Sequence, residues 1–213
     1  MTLKKECLFF LETYFNGLEI KKPLFYNGKY SLRFGLQDSK ERECLSDQEP
    51  LLLGNRERAE QLFKCCFQEN DMVYIMLYDY KNKRQKIRKS NFIFTLFSDY
   101  SKPNVQYDKV FNRYDHNDKW NRLIMKSKTK NIDIKPLIQG LCNVDFPLLK
   151  PRIPEEVFII NIDKKIIFQI YDDRGLDIIT SNKANLIKIH EKFKDWELDF
   201  DKELINSKIA SDL

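Results

Sequence analysis

Residues 157–180 read VFIINIDKKIIFQIYDDRGLDIIT. The apolar residues of this stretch fall into short runs separated by polar turns: runs at 157–162, 166–171 and 176–180, and turns at 163–165 and 172–175. Runs of this length, rich in β-branched and aromatic residues and bounded by Asp, Lys and Gly, are typical of strands joined by tight turns. We therefore expect a three-stranded meander in the last third of the chain.

A long helix is expected directly after the meander. Leu186, Ile189 and Phe193 recur at helical spacing, and His190 falls on the same apolar face. Ser181 is placed to cap the helix, because a serine hydroxyl accepts a hydrogen bond from the first turn. We interpret His190 as a half-buried structural imidazole and not as a catalyst.

Earlier segments supply further strands and helices. The run MVYIMLY at 72–78 is nearly continuous in apolar residues, which is typical of a strand covered on both faces. Two more strands are predicted at 105–114 and 119–126, joined across a polar turn at 115–118. Apolar residues at helical spacing predict further helices at these places: 3–16, 55–67, 91–97 and 134–141.

Two local signals lie in the first third. Asn27-Gly28 stands between Leu24–Tyr26 and Tyr30–Phe34, and this dipeptide predicts a β-hairpin because both residues tolerate positive φ. Asn55 is expected to cap the helix at 55–67. The charged stretch 37–50 shows no sustained period and is expected to be a loop.

These patterns predict an α+β protein with a mixed or antiparallel sheet, helices packed on it, and a C-terminal meander followed by a long helix. We expect a single domain over residues 1–213. The prolines at 147–154 mark a candidate subdomain boundary between an N-terminal part, 1–146, and a C-terminal meander–helix unit, 147–213.

The composition narrows the class of protein. The 37 Lys and Arg against 32 Asp and Glu leave +5, a mild excess beside that of dedicated nucleic-acid binders. We expect no signal peptide, because the first residues lack the apolar core of one, and no apolar run approaches the roughly 20 residues that a membrane span needs. The cysteines are odd in number and lack CxxC spacing, so we expect reduced core thiols and a cytoplasmic location: Cys7, Cys44, Cys65, Cys66 and Cys142.

The acidic turn of the meander is the first candidate site. Asp172, Asp173 and Asp177 place carboxylates around Arg174, a composition suited to Mg²⁺ ligation with an arginine on a phosphate. A structural turn explains the same residues, with Asp172 capping its own backbone and Gly175 supplying positive φ. We favour the structural reading and assign no metal site and no cofactor.

Two further charged segments invite a functional reading. Six basic residues lie between aromatic residues, a combination found in proteins that bind single-stranded nucleic acid: Lys81, Lys83, Arg84, Lys86, Arg88 and Lys89. An exposed charged turn is the interpretation that we favour for them. Asp199-Phe200-Asp201 is expected to be solvated surface.

The absence of familiar catalytic motifs favours a non-enzymatic protein but does not exclude an enzyme. No GxSxG, HExxH, phosphate-binding loop or GxGxxG is present, and the chain has only two histidines. We therefore expect a non-enzymatic module that binds a protein partner. In its more specific form, the prediction is that this binding neutralises a toxin or another effector, as immunity proteins do. The alternatives are a carboxylate-dependent, divalent-metal phosphoesterase and a nucleic-acid-binding protein using 81–89. The oligomeric state is not predicted.

Several runs within residues 140–201 carry a resemblance to a known family: Leu141–Phe146, Lys150–Arg152, Val157–Asn161, Tyr171–Asp177 and Trp196–Asp201. Together they resemble the bacterial family known as domain of unknown function 3885. The helix and strand at 58–78 are compatible with the same family. The resemblance implies a small cytoplasmic accessory protein of a low-GC Gram-positive bacterium or of its mobile elements, and it brings no catalytic residue with it.

Overall fold

A single antiparallel sheet organises the computed structural model, which describes residues 1–37, 48–80, 92–101 and 104–210. In this part of the chain the sheet has seven strands, in the order β1-β7-β6-β5-β2-β4-β3. They are β1 Tyr30–Gly35, β2 Met72–Tyr80, β3 Val105–Phe111, β4 Lys119–Lys128, β5 Glu156–Asn161, β6 Ile166–Asp172 and β7 Gly175–Thr180. The predicted α+β class and the C-terminal meander, β5 to β7, are confirmed.

Helices cover both faces of this sheet. They are α1 Leu3–Phe15, α2 Leu24–Asn27, α3 Gln48–Cys66, α4 Phe92–Thr95, α5 Ile134–Cys142, α6 Lys183–Phe193 and α7 Lys202–Ala210. One core joins α3, α5 and α6 to the sheet, and a second joins α1 to the opposite face. The meander pairs with β2 on one side and with β1 on the other, so the three strands that follow residues 147–154 lie between strands that precede them.

The side chains of strand β2 belong to both cores, one on each face of the sheet. Its side chains alternate between the faces, with Val73, Ile75 and Leu77 in the first core and Tyr74, Met76 and Tyr78 in the second. All six are buried, and each buried apolar side chain contributes on the order of 1.5–3 kcal/mol. The apolar run at 72–78 was therefore correctly interpreted as a strand covered on both faces.

The predicted hairpin at Asn27-Gly28 is wrong. Leu24–Asn27 forms the helical turn α2, because the Asp177 carboxylate on β7 accepts a hydrogen bond from the Phe25 amide at 3.0 Å. Gly28 has a negative φ of −88°. A side chain there would meet the Ile179 side chain at 2.7 Å, so close approach is what requires a glycine.

Both predicted helix caps are displaced. Helix α3 begins at Gln48, so Asn55 is a buried interior residue of that helix and not its cap. Helix α6 is capped by Asn182, whose side chain accepts from the Asn185 amide at 2.9 Å, and not by Ser181. The predicted loop at 37–50 therefore ends by residue 48, and residues 38–47 lie outside the described chain.

The predicted helix at the start of the chain, the long helix after the meander and the free thiols are confirmed where the structure describes them, but the helix after the meander, α6, is not the final one, because α7 follows it. Helix α1 ends at Asn16 and Gly17, both with positive φ. The imidazole of His190 is half-buried, and its Nδ1 lies 2.7 Å from Glu197 Oε1.

The described cysteines are free thiols, and burial raises the pKa of Cys7 and of Cys142 to about 12. No helix among the described residues is long and apolar enough to cross a membrane.

Candidate functional site

A row of polar side chains crosses three neighbouring strands of the sheet. Arg33 on β1 is in register with Asp177 on β7, and Asp177 is in register with Gln169 on β6. Each of these residues stands among apolar neighbours in its own strand. Because side chains alternate along a strand, the three lie on the face opposite the larger core.

The ion pair between Arg33 and Asp177 is bidentate and buried. Arg33 Nε donates to Asp177 Oδ1 at 2.8 Å, and Nη2 donates to Oδ2 at 3.1 Å. The Asp177 side chain has no exposed surface, and that of Arg33 is 11% exposed. Burial raises the pKa of Asp177, and the hydrogen bonds from Arg33 oppose this rise. The pair therefore positions the guanidinium rigidly.

Aromatic rings surround the same guanidinium. Its Cζ lies 4.9 Å from the ring centre of Phe25, 4.8 Å from that of Tyr26 and 5.7 Å from that of Tyr171. Its remaining nitrogen, Nη1, is 3.8 Å from a carboxylate oxygen of Asp201. Stacking and charge pairing thus join β1, α2, β6 and the C-terminal segment at one point.

A cleft of about 390 Å³ opens beside Arg33. It is lined by Lys22, Pro23, Arg33, Gln169, Tyr171 and Asp172. The Lys22 ammonium donates to the Tyr171 carbonyl oxygen at 3.2 Å. Burial lowers the pKa of Lys22, and the charges of Glu156 and Asp172 partly offset that effect. The cleft is thus lined by two cations and a carboxylate, whereas the Gln169 amide in its wall is fully buried.

The acidic turn contributes only one carboxylate to this cleft. Asp172 accepts from the backbone amide of Arg174 at 2.8 Å and from its Nε at 3.0 Å. Asp173 instead accepts from Gln37 Nε2 at 2.6 Å, and burial raises its pKa. The side chain of Asp177 is held by Arg33. The three carboxylates of the sequence-predicted site therefore have three different partners: Arg174 for Asp172, Gln37 for Asp173 and Arg33 for Asp177.

Gly175 does not have the positive φ that was expected of it. A Cβ atom at this position would overlap the hydroxyl of Tyr171 and would lie 2.7 Å from the Phe34 carbonyl oxygen. A glycine is needed because the Tyr171 ring and strand β1 both approach the backbone here.

The arrangement gives the phosphoesterase alternative no support. Two of the three carboxylates already accept hydrogen bonds from arginines, which compete with a divalent cation for the same oxygens. Among the described residues, no group of three or more His, Cys, Asp or Glu side chains could hold a metal ion. Asp201 adds a further carboxylate to this region, but that carboxylate faces the Arg33 guanidinium.

Asp201 corrects the expectation for the segment Asp199-Phe200-Asp201. This residue is buried, with 3% of its surface exposed, because it faces the Arg33 guanidinium and accepts from the Tyr26 hydroxyl at 3.4 Å. Phe200 points the other way and is 90% exposed. Asp199 is exposed, as expected, and pairs with Lys202 at 2.5 Å.

Exposed apolar side chains lie close to Phe200 in the sequence. We call Leu198, Phe200 and Leu204 the apolar patch; all three are exposed and lie within seven residues of one another. Phe200 and Leu204 are four residues apart in a continuous helical segment, so their side chains share one side of it. The six basic residues between 81 and 89 lie outside the described residues.

Similarity to known proteins extends over most of the chain. A family model described as "Domain of unknown function (DUF3885)" matches residues 8–201. The chain belongs to this family. The match reaches well beyond the 140–201 region in which the resemblance was strongest. "Uncharacterized protein YnaE" of Bacillus subtilis (strain 168) is 26% identical to this DUF3885 member in an alignment of 157 positions that covers 66% of this chain and 71% of that protein. No solved structure matches the chain.

Sequence reasoning missed most of the cleft in this DUF3885 protein. Lys22, Arg33 and Gln169 were not singled out, and Phe200 was treated only as part of a solvated segment. A signal was present for two of them, because Arg33 and Gln169 each interrupt an otherwise apolar strand. Asp177 interrupts its strand in the same way, and opposite charges at such positions in two strands predict a buried pair.

Proposed function

We propose that this protein is a non-enzymatic, protein-binding module of the bacterial cytoplasm, and that its docking surface is the apolar patch. The observation that carries the proposal is the 90% exposure of Phe200, a large aromatic side chain directly beside a buried aspartate. Exposed apolar clusters of this kind are common at protein interfaces, where aromatic side chains supply much of the binding energy.

The surroundings of Phe200 support the same proposal. Asp199, Lys202 and Glu203 are exposed next to it, so an apolar centre is bordered by charges of both signs. Protein interfaces have this composition, with an apolar core and a polar rim that fixes the orientation of the partner. The contacts of Asp201 with Tyr26 and Arg33 fix the backbone that presents Phe200.

Neutralisation is the specific form of binding that we favour. A protein that occludes a toxin or another effector needs a preformed surface and no catalytic group, and the patch offers such a surface. Of the two alternatives, the phosphoesterase would use Asp172 and Asp177, whose oxygens already accept hydrogen bonds from arginines, and the residues 81–89 of the nucleic-acid alternative lie outside the described chain.

The test compares capture by matched variants. Phe200→Ser removes the centre of the patch, and Leu148→Ser changes a side chain that is similarly exposed, at 94%, elsewhere in the chain. Each protein is immobilised and exposed to lysate of the bacterium that encodes it, and captured proteins are quantified by mass spectrometry. We expect a partner whose recovery falls at least tenfold with Phe200→Ser and stays unchanged with Leu148→Ser. Equal recovery by all three proteins contradicts the proposal.

A further inference from the structure

The two edges of the sheet differ in how they are covered. At the β1 edge, Phe34 forms a bridge with Glu197 on the side away from β7, and a side chain at Gly35 would meet Leu198 at 2.8 Å. The C-terminal segment therefore covers part of this edge. At the other edge, β3 pairs with β4, and among the described residues no strand, bridge or backbone hydrogen bond lies on its outer side. An edge of this kind offers backbone donors and acceptors to another strand.

Strand β3 has few of the features by which proteins prevent pairing at an edge. It is seven residues long, contains no proline or glycine, and pairs with β4 in continuous register. Two of its aromatic side chains are exposed, Tyr107 at 46% and Phe111 at 53%. Lys109 is exposed between them, and a lysine at an edge opposes pairing. A strand that pairs with β3 must therefore bring no positive charge to Lys109.

We propose that β3 pairs antiparallel with β3 of a second copy of this chain, so that the sheet continues across a two-fold axis. When the two strands pair over their full length, the axis passes through Asp108. Residues that lie opposite each other then share one face of the sheet. Three kinds of pair form, each of them twice: Val105 with Phe111, Gln106 with Val110, and Tyr107 with Lys109.

The chemistry of these pairs favours a second copy as the partner. Lys109 lies opposite the Tyr107 ring of the second copy, and aromatic rings attract an ammonium group. Val105 lies opposite Phe111, and an aromatic residue with a β-branched one is a favourable pair across two strands. A register shifted by two residues would instead place Lys109 opposite Lys109, where like charges repel. The strand is therefore complementary to itself in the register that uses its full length.

The acidic residue on the axis already has its counter-charges. Asp108 lies opposite Asp108 of the second copy, but each carboxylate accepts from Arg122 Nε at 2.8 Å and pairs with Lys4 at 2.7 Å within its own chain. Because each carboxylate has two cations of its own, the axis carries no excess of negative charge. The Tyr107 hydroxyl is also held in place, since it lies 2.5 Å from that of Tyr100.

This surface is distinct from the apolar patch. Strands β3 and β1 form opposite edges of the sheet, and Leu198 of the patch lies at the β1 edge. Pairing through β3 therefore gives a dimer that carries two patches. The inference does not depend on the proposed function, and each can fail without the other.

Sedimentation equilibrium of the full protein and three variants tests the dimer. At about 100 μM, a concentration suited to a small interface, we expect twice the mass of the 25.6 kDa chain. Tyr107→Lys places a lysine opposite Lys109 and should weaken dimerisation at least tenfold. Adding Lys109→Glu to that variant restores opposite charges and should recover the dimer. Tyr14→Lys is the control, because this tyrosine is 43% exposed beside β7, and it should change the affinity less than threefold.

Cysteine crosslinking tests the register without adding charge. Tyr107→Cys and Lys109→Cys proteins are mixed and oxidised, and we expect a disulfide that joins one variant to the other, because opposite residues of antiparallel strands are within its reach. Each variant oxidised alone should form at least fivefold less covalent dimer. The natural protein is oxidised alongside and gives the background from its own thiols.

Three results would overturn the proposal. The first is a natural protein that stays monomeric at this concentration, and the second is a dimer that Tyr107→Lys does not weaken. The third is more crosslinking by Lys109→Cys alone than by the mixture, because this would place the axis at Lys109 and not at Asp108.

Discussion

Asp177 gives both of its carboxylate oxygens to the guanidinium of Arg33 on the adjacent strand, at 2.8 and 3.1 Å, although Asp177 itself has no exposed surface. Oxygen Oδ2 also accepts from the Phe25 amide. One buried carboxylate therefore fixes the start of α2, the edge of the sheet and the wall of the cleft at the same time.

Removing the charge of Asp177 should destabilise the protein strongly. Asp177→Asn leaves the Arg33 guanidinium without its counter-charge, which costs about 3–5 kcal/mol in comparable buried pairs. Urea denaturation measures this loss. The double variant Arg33→Met/Asp177→Leu replaces both charges and should recover most of the stability. A double variant that is no more stable than Asp177→Asn contradicts this account of the pair.

Gly175 should tolerate no side chain. Gly175→Ala places a methyl group against the Tyr171 ring and the Phe34 carbonyl oxygen, and overpacking of this kind costs about 1–3 kcal/mol. In a Tyr171→Ala background the cost should fall but persist, because the backbone contact with Phe34 remains. Thermal unfolding of the four proteins of this cycle gives the coupling directly. Independent, additive effects would show that Tyr171 is not the obstacle.

Acid should weaken the turn between β3 and β4. Burial of Asp118 opposes its ionisation, but donors from Trp120, Tyr114, Arg113 and Asp115 outweigh this and lower the pKa of Asp118 to about 2. A carboxyl whose pKa is lower in the folded state contributes stability above its usual value of 3.8, and this contribution is lost as the pH falls toward 2.

The variant Asp118→Asn tests this assignment by urea denaturation between pH 6 and pH 2.5. It should be less stable than the natural protein at pH 6, and the difference should shrink below pH 4. A difference that is independent of pH would mean that the carboxylate charge is not what these donors stabilise.

Two phenylalanines should respond oppositely to truncation. Phe193 is buried in the larger core, and Phe193→Ala should cost about 3–5 kcal/mol. Phe200→Ala should change the free energy of unfolding by less than about 0.5 kcal/mol, because the side chain is almost wholly exposed. Chemical denaturation of both variants checks the pair. A large loss for Phe200→Ala would assign this residue to the fold and not to a docking surface.

The strands were predictable because their signals are local. Alternation and apolar runs predicted the meander, β2 and the β3–β4 pair; the meander, β2 and β4 bury most of their own apolar side chains, and β3 is a half-exposed edge strand. The errors fall where a distant residue intervenes. Asn27-Gly28 has the composition of a hairpin turn, but Asp177, 150 residues later, accepts the Phe25 amide and favours a helical turn.

The cleft was hidden for the same reason. Lys22 has an ordinary local setting and Gln169 is marked only as a polar residue in an apolar strand, and the folded structure alone brings the two together beside one cleft. Asp201 was expected to be solvated because two acids in a charged segment have no local partner. Its partner is Arg33, which lies far from it in the sequence. The position of Arg33 depends on the pairing of β1 with β7.

Photo-crosslinking at position 200 tests the central claim of a protein-binding patch most directly. Phe200 is replaced by p-benzoylphenylalanine, which keeps the aromatic ring, and the protein is irradiated inside the bacterium that encodes it. The same substitution at Leu148, similarly exposed, is the control. The account predicts a discrete covalent adduct with one protein from position 200 and none from position 148. No adduct from position 200, or the same adducts from both positions, would contradict it.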